Sequence, residues 1–235
     1  MLKYEKTSDI SYALGTTLVF ELINKSPSLL QRIYIHPKQV ENEAFFKVKS
    51  FCLEKKIPLI RNNEKIFSAL ANKESCMMIG EFKKEYKNLE KNSSHLVLVN
   101  PSNMGNLGTI LRSSLGFGIK NVAIIKPCPD IFDPKVVRAS MGAIFSLNVE
   151  LFASFEDYEK NFKENNLYPF MLKATASLSE VNFKKPFSLI FGNEATGLDD
   201  SYLNKGTPVI IKISKEIDSL NLDNAVSIGL FEATK

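Results

Sequence analysis

The chain has 235 residues, 44% of them hydrophobic, with 30 Lys and Arg against 26 Asp and Glu. That is enough apolar material for a core in one large or two smaller domains, and with no apolar run near the ~18 residues of a membrane span, none is expected. Scattered Cys52, Cys76 and Cys128 argue for reduced thiols over a disulfide framework or zinc site.

His36 and His95 have no ligand or catalytic partner at a useful spacing and are read as structural. No metal is expected, and neither is a Ser-His hydrolase. Met1–Lys6 lacks the apolar segment of a signal peptide, so a cytoplasmic protein is expected. Residues 1–92 carry 16 Lys and Arg against 11 Asp and Glu, whereas 93–235 carry 14 against 15. The whole positive excess lies in the first part. It is either the footprint of a polyanion site or a lysine-rich soluble surface.

Residues 1–80 read as a small α/β unit. Leu14–Ile23 suits a helix after a Gly-Thr start, and Arg32–Ile35 a strand stopped by Pro37. Glu43–Lys55 has helical spacing, with Phe46, Val48, Phe51 and Leu53 as core candidates. Ile57–Ile60 is a short strand, and Asn62–Lys65 a cap and first turn leading to Ile66, Phe67 and Leu70. Cys76–Phe82 is a further strand. Lys83–Ser94 is polar and reads as a solvated linker.

From His95 strands and helices alternate. Leu96–Val99 is a strand, Asn106–Phe117 a helix and Asn121–Ile125 a strand. Asp133-Pro134 opens a helix with Asp at the cap and Pro at the first position. Phe155–Asn165 is amphipathic. Tyr168–Leu172, Phe187–Phe191 and Val209–Ile213 are strands, and the last helix follows Asn224. Apolar strands alternating with helices imply a parallel sheet covered on both faces. Ligands of such sheets bind outside the carboxyl ends of the strands.

Three strand ends carry the polar residues. Asn100–Ser113 follows a strand and opens a helix; Gly105 and Gly108 allow close backbone approach, and Arg112 interrupts an apolar stretch. It has neither a G-x-G-x-x-G fingerprint nor a Walker lysine. Leu189–Leu198 ends a strand in Gly192, then a carboxylate, Glu194, then Gly197. Asp218–Val226 places Ser219 and Asn221 around Leu220 before the last helix, an ordinary N-cap composition. Each junction alone is an ordinary turn or cap. Three in one parallel domain converge on a ligand crevice.

These blocks resemble the three motifs of the SpoU (TrmH) branch of the SPOUT RNA methyltransferases. Asn103-x-Gly105-Asn106-x-Gly108-x-x-x-Arg112 looks like the first, Gly192-x-Glu194-x-x-Gly197 the second, and Ser219-Leu220-Asn221 with Ala225 the third. Asp133–Ala143 is similar to the family's intervening segment. The spacings fit, with 80 residues from Arg112 to Gly192 and 27 from Gly192 to Ser219. The resemblance covers 95–235. A weaker one over 10–80 is to the L30e-like substrate-binding domain.

The resemblance implies an α/β protein with three parts. Residues 1–82 would be an L30e-like RNA-binding domain, 83–94 a linker, and 95–235 a parallel-sheet SPOUT domain with a deep trefoil knot. It implies methyl transfer from S-adenosylmethionine to a ribose 2′-hydroxyl of rRNA or tRNA, rRNA being favoured, and a homodimer through the C-terminal domain. Carried over by position, Gly192, Ile211, Leu220, Ile190 and Ala225 would hold the cofactor. Arg112, Asn106, Glu194, Ser219 and Asn221 would be the catalytic set. The sequence departs from the family at Lys212, Asp223, Asn224 and Asn100. Two other readings are a catalytically silent RNA-binding relative and a nucleotide-dependent oxidoreductase, the latter without its fingerprint.

Overall fold

The structure is a computed structural model that describes residues 4–71 and 75–235. In chain order the elements are β1 (Ile10–Leu14), α1 (Thr16–Lys25), β2 (Leu30–Ile35), α2 (Glu43–Lys55), β3 (Leu59–Arg61), α3 (Glu64–Leu70) and β4 (Met78–Lys83). Then come β5 (His95–Val99), α4 (Met104–Gly116), β6 (Asn121–Ile125), α5 (Pro134–Ala139), β7 (Asn148–Phe152) and α6 (Phe155–Asn161). The chain closes with β8 (Asn166–Pro169), β9 (Ala176–Ser177), β10 (Phe187–Phe191), β11 (Val209–Ile210) and α7 (Leu222–Thr234). Contacts divide it into two compact units, one formed by residues up to Glu85 together with Asp130–Ser146, the other by Tyr86–Pro129 and Leu147–Lys235.

The first unit holds a sheet in the order β1-β4-β2-β3, with β4 antiparallel to both neighbours and β3 parallel to β2. Helix α2 has the expected bounds, and Asn42 caps it by accepting from the Phe45 amide at 3.0 Å. Its buried face is Phe45, Val48 and Cys52, whereas the core candidates Phe46 and Leu53 are 51% and 72% exposed. Phe45, Val48 and Cys52 follow the i, i+3, i+7 spacing of one stripe, and Phe46 and Leu53 lie on the next. The segment Asp130–Ser146 seals the unit. Lys84 and Asp130, both nearly inaccessible, pair at 2.9 Å. Ser11 donates to the Phe132 carbonyl, Ser26 Oγ donates to the Phe145 carbonyl at 2.9 Å, and the Phe145 ring stands edge-on to Phe82.

The second unit is built on a five-stranded, wholly parallel sheet in the order β7-β6-β5-β10-β8. All five residues of β6 and of β10 are buried, as strands covered on both faces require. Strand order reverses at β5: β6 and β7 run off one side, β10 and β8 off the other. Such a switch point leaves a crevice at the carboxyl ends of β5 and β10, because their loops depart to opposite sides.

Residues 86–94 belong to this unit; Tyr86, Asn88, Glu90, Lys91 and Asn92 are exposed, but the segment is anchored at Leu89. Leu89 is buried in the core cluster with Val97, Phe152 and Tyr158. The amides of Leu89 and Glu90 donate to Glu150 Oε2 at 2.9 Å and Asn121 Oδ1 at 3.0 Å. His95 is structural: its ring nitrogens bond the Tyr158 hydroxyl at 2.9 Å and the Glu90 carbonyl at 3.0 Å. Burial pushes its pKa down. On the far side, α7 brings Gly229 against Phe170 and Phe191, whose rings stack at 4.3 Å.

Candidate functional site

Two loops meet at the carboxyl edge. After β5 the chain turns at Asn100, in the left-handed region at φ 51°. Asn103 then caps α4, its Oδ1 accepting from the amides of Gly105 at 2.8 Å and Asn106 at 3.0 Å. After β10, Asn193 Oδ1 accepts from the Ala195 amide at 2.9 Å and the Thr196 amide at 3.3 Å, and Gly197 closes the turn at φ 67°. The loop folds so tightly that a β-carbon on Gly192 would meet Gly197 backbone at 2.1 Å.

The loops are tied together through side chains. Glu194 Oε2 accepts from the Ser102 amide at 2.9 Å and its hydroxyl at 2.7 Å. Oε1 accepts from the Asn103 amide at 3.1 Å and Asn106 Nδ2 at 3.4 Å. Partial burial works to raise the Glu194 pKa, but these hydrogen bonds outweigh it and hold the carboxyl below its ordinary value. Asn193 Nδ2 adds a second tie, donating to the Asn100 carbonyl at 2.7 Å.

The third loop completes a cavity of about 650 Å³. Gly192 and Glu194 line it from the second loop, and Ile211, Ser219, Leu220 and Ala225 from the stretch between β11 and α7. Its charged lining is Lys173, Glu194, Asp199, Asp200 and Asp218, with Lys173 paired to Asp200 at 2.7 Å. Four carboxylates against one ammonium favour a cationic ligand over a polyphosphate.

The other candidates, Asn106, Arg112, Asn221 and Ile190, do not line this cavity. Asn106 is on the first turn of α4, against Glu194. Arg112 is exposed two turns further along α4, because Leu107, Gly108, Ile110, Leu111 and Ser114 take the buried face. The helix beneath it is fixed to α7 by Ser227 Oγ, which donates to Ser113 Oγ at 2.9 Å. Asn221 occupies the N-cap position of α7, yet its side chain makes no capping hydrogen bond. The expected cap is therefore positional only. Ile190 is wholly buried in β10 within the core, and its neighbour Phe191 lines the cavity. Asn103 begins the first motif, but its capping role, Ser102 and Asn193 were not singled out from the sequence. Asn100 in the left-handed region after β5 and Asn193 after β10, both at strand ends, are the local signal that could have found these loops.

Among the described residues no cluster of His, Cys, Asp and Glu is arranged to hold a metal ion. No helix among them is long and apolar enough to cross a membrane.

Comparison with known proteins follows the same geometry. The chain is 34% identical over 143 residues to an uncharacterized tRNA/rRNA methyltransferase of Synechocystis, covering 60% of this chain and 52% of the relative. It is 29% identical over 144 residues to the 23S rRNA (uridine(2479)-2′-O)-methyltransferase of Streptomyces viridochromogenes, covering 57% and 50%. The chain thus spans about half the length of these curated relatives. An rRNA methyltransferase structure from Sinorhizobium meliloti superposes with a TM-score of 0.81 at 23% identity, covering 96% of this chain and 86% of the other. The SpoU methyltransferase AviRb of Streptomyces viridochromogenes, in complex with AdoMet, gives 0.83 at 18% identity, covering 96% and 89%. These likenesses establish the α/β fold with its parallel-sheet core. The sequence model of the SpoU rRNA methylase family matches residues 93–231, which contain all three polar strand ends, and the chain belongs to that family.

Proposed function

We propose that this chain transfers the methyl group of S-adenosylmethionine to a ribose 2′-hydroxyl of RNA, with rRNA the favoured substrate. The observation that carries the reading is an acid-lined cavity at the carboxyl end of β10, walled by the second and third loops, with the first loop clipped to its wall residue Glu194 and Arg112 exposed on the helix that follows that loop. Family membership and the named activities of the relatives support it.

The cavity residues fit this donor. Ile211, Leu220 and Ala225 offer apolar surface for a base, Gly192 leaves room for close backbone approach, and the excess of carboxylates suits a cation. When bound, S-adenosylmethionine supplies an electrophilic methyl on a sulfonium leaving group. The chain is then left to align a hydroxyl oxygen with that methyl and to manage one proton. The Arg112 guanidinium stays protonated in proteins, which suits it to anchor an RNA phosphate or to stabilise negative charge growing on the oxygen. Ser219 at the cavity wall and Asn221 at the mouth of α7 are within the same loop and are assigned to the reacting ribose.

The rest of the assembly belongs to the same proposal. The first unit, which holds most of the positive excess of residues 1–92, is assigned as the RNA platform, which would position the substrate through phosphates without specifying it. The stretch Asp218–Val226 is read as part of a trefoil knot. Met104 on α4 and Ile228 and Phe231 on α7 are exposed apolar residues, a face suited to a homodimer.

The test is incubation with methyl-labelled S-adenosylmethionine and rRNA or tRNA, followed by mapping of 2′-O-methylated positions. Label should enter one ribose position; no transfer to any RNA would sink the reading. The silent RNA-binding alternative predicts no calorimetric signal with S-adenosylmethionine, and sedimentation of the purified chain as a monomer at micromolar concentration would remove the dimer.

A further inference from the structure

We propose that Ser102 is a positioning residue for methyl transfer: with its amide and hydroxyl it locks the Glu194 carboxylate into a clip between the loops after β5 and β10. The proposal rests on the methyl-transfer reading and deepens it. A carboxylate offers about four acceptor sites. Here the Ser102 amide, Ser102 hydroxyl, Asn103 amide and Asn106 side chain fill them. Glu194 therefore has no acceptor site left for a substrate hydroxyl, and its work is to hold the first loop, not to take a proton.

What it holds is the start of α4. Three of the four donors come from Ser102 and Asn103, the residues that lead into and cap that helix. The Asn193 tie to the Asn100 carbonyl fixes the same loop two residues earlier. An α-helix is stiff over its length, so a clip on its first turn sets where Arg112 stands. Within the clip the Ser102 hydroxyl makes the shortest contact, to a charged acceptor, and it can be removed without touching a cavity wall.

Ser102→Ala and Ser102→Thr in the full chain test this, with hydrogen exchange of the amides over 103–107 read beside methyl transfer. Ser102→Ala should lower kcat by about tenfold while the Kd for S-adenosylmethionine stays within about threefold, because one charge-assisted hydrogen bond is lost and the cavity is intact. Its 103–107 amides should exchange faster, and Ser102→Thr should restore both. A kcat equal to wild type, unchanged exchange, or a Ser102→Thr variant as impaired as Ser102→Ala overturns the role. If the wild-type chain transfers no methyl to any RNA, the methyl-transfer reading has failed. Exchange then decides the clip by itself: faster exchange in Ser102→Ala upholds it, and unchanged exchange overturns it.

Discussion

A β-carbon on Gly192 would lie 2.1 Å from the carbonyl carbon of Gly197 and 2.4 Å from the amide nitrogen of Leu198. Both obstacles are backbone, so no rotamer change relieves them. Gly192→Ala must push the second loop open, and that loop forms one wall of the cavity. Affinity for S-adenosylmethionine should fall by more than about tenfold, with about 1–3 kcal/mol of destabilisation from overpacking. Titration calorimetry and thermal melting read the two effects; unaltered affinity would remove this loop from the binding site.

Arg112 projects from the exposed face of α4, and its neighbours on the buried face carry the packing. Arg112→Ala should therefore leave the melting temperature and the affinity for S-adenosylmethionine nearly unchanged while methyl transfer falls by at least about 10²-fold, the usual loss of a group that stabilises charge in a transition state. Arg112→Lys should recover little, since a point charge does not replace a planar fork. Single-turnover transfer at saturating RNA makes the comparison, and full activity in Arg112→Ala would falsify the assignment.

The Glu194 carboxyl titrates below its ordinary value of 4.5, its hydrogen bonds outweighing the burial that opposes them. A depressed pKa in the folded state means that the contribution to stability is present above the unfolded-state pKa. It is lost as pH falls through the lower folded-state value. Wild type should melt above Glu194→Gln at neutral pH, and the gap should narrow below about pH 4.5. A gap that is flat from neutrality to about pH 3 would mean that charge plays no part in the clip.

Gly229 lets α7 lie on the stacked rings of Phe170 and Phe191; an added β-carbon would come within 2.9 Å of both. Alanine ordinarily strengthens a helix by about 1 kcal/mol relative to glycine. Here the sign should reverse, with Gly229→Ala less stable by about 1–3 kcal/mol as the rings or the helix give way. Chemical denaturation measures it, and a gain in stability would show that the rings move aside freely.

Much of the second unit was legible in the sequence because β5, β6 and β10 are buried on both faces and read as unbroken apolar runs. Strands β1 and β7 were not legible: both are edge strands, where half-burial and residues such as Asn148 and Glu150 dilute the pattern. Helix α2 had its bounds right and its stripe one residue off, since Phe45 and Phe46 are equally apolar in sequence and only the packing chooses between them. At the site, glycines and polar strand ends marked the three loops. The bonds between Glu194 and Ser102 span 92 positions and have no local signature.

The first unit is not a continuous stretch of chain: residues up to Glu85 are completed by Asp130–Ser146. A ribosome delivering this protein has therefore already released β5, α4 and β6 when the partners of Ser11, Ser26 and Lys84 emerge. The N-terminal half cannot finish folding first and wait, as a separate leading module can. A gene cut after residue 85 would yield a fragment with the faces around Phe82 and Lys84 uncovered, prone to aggregate however sensible the boundary looks on paper.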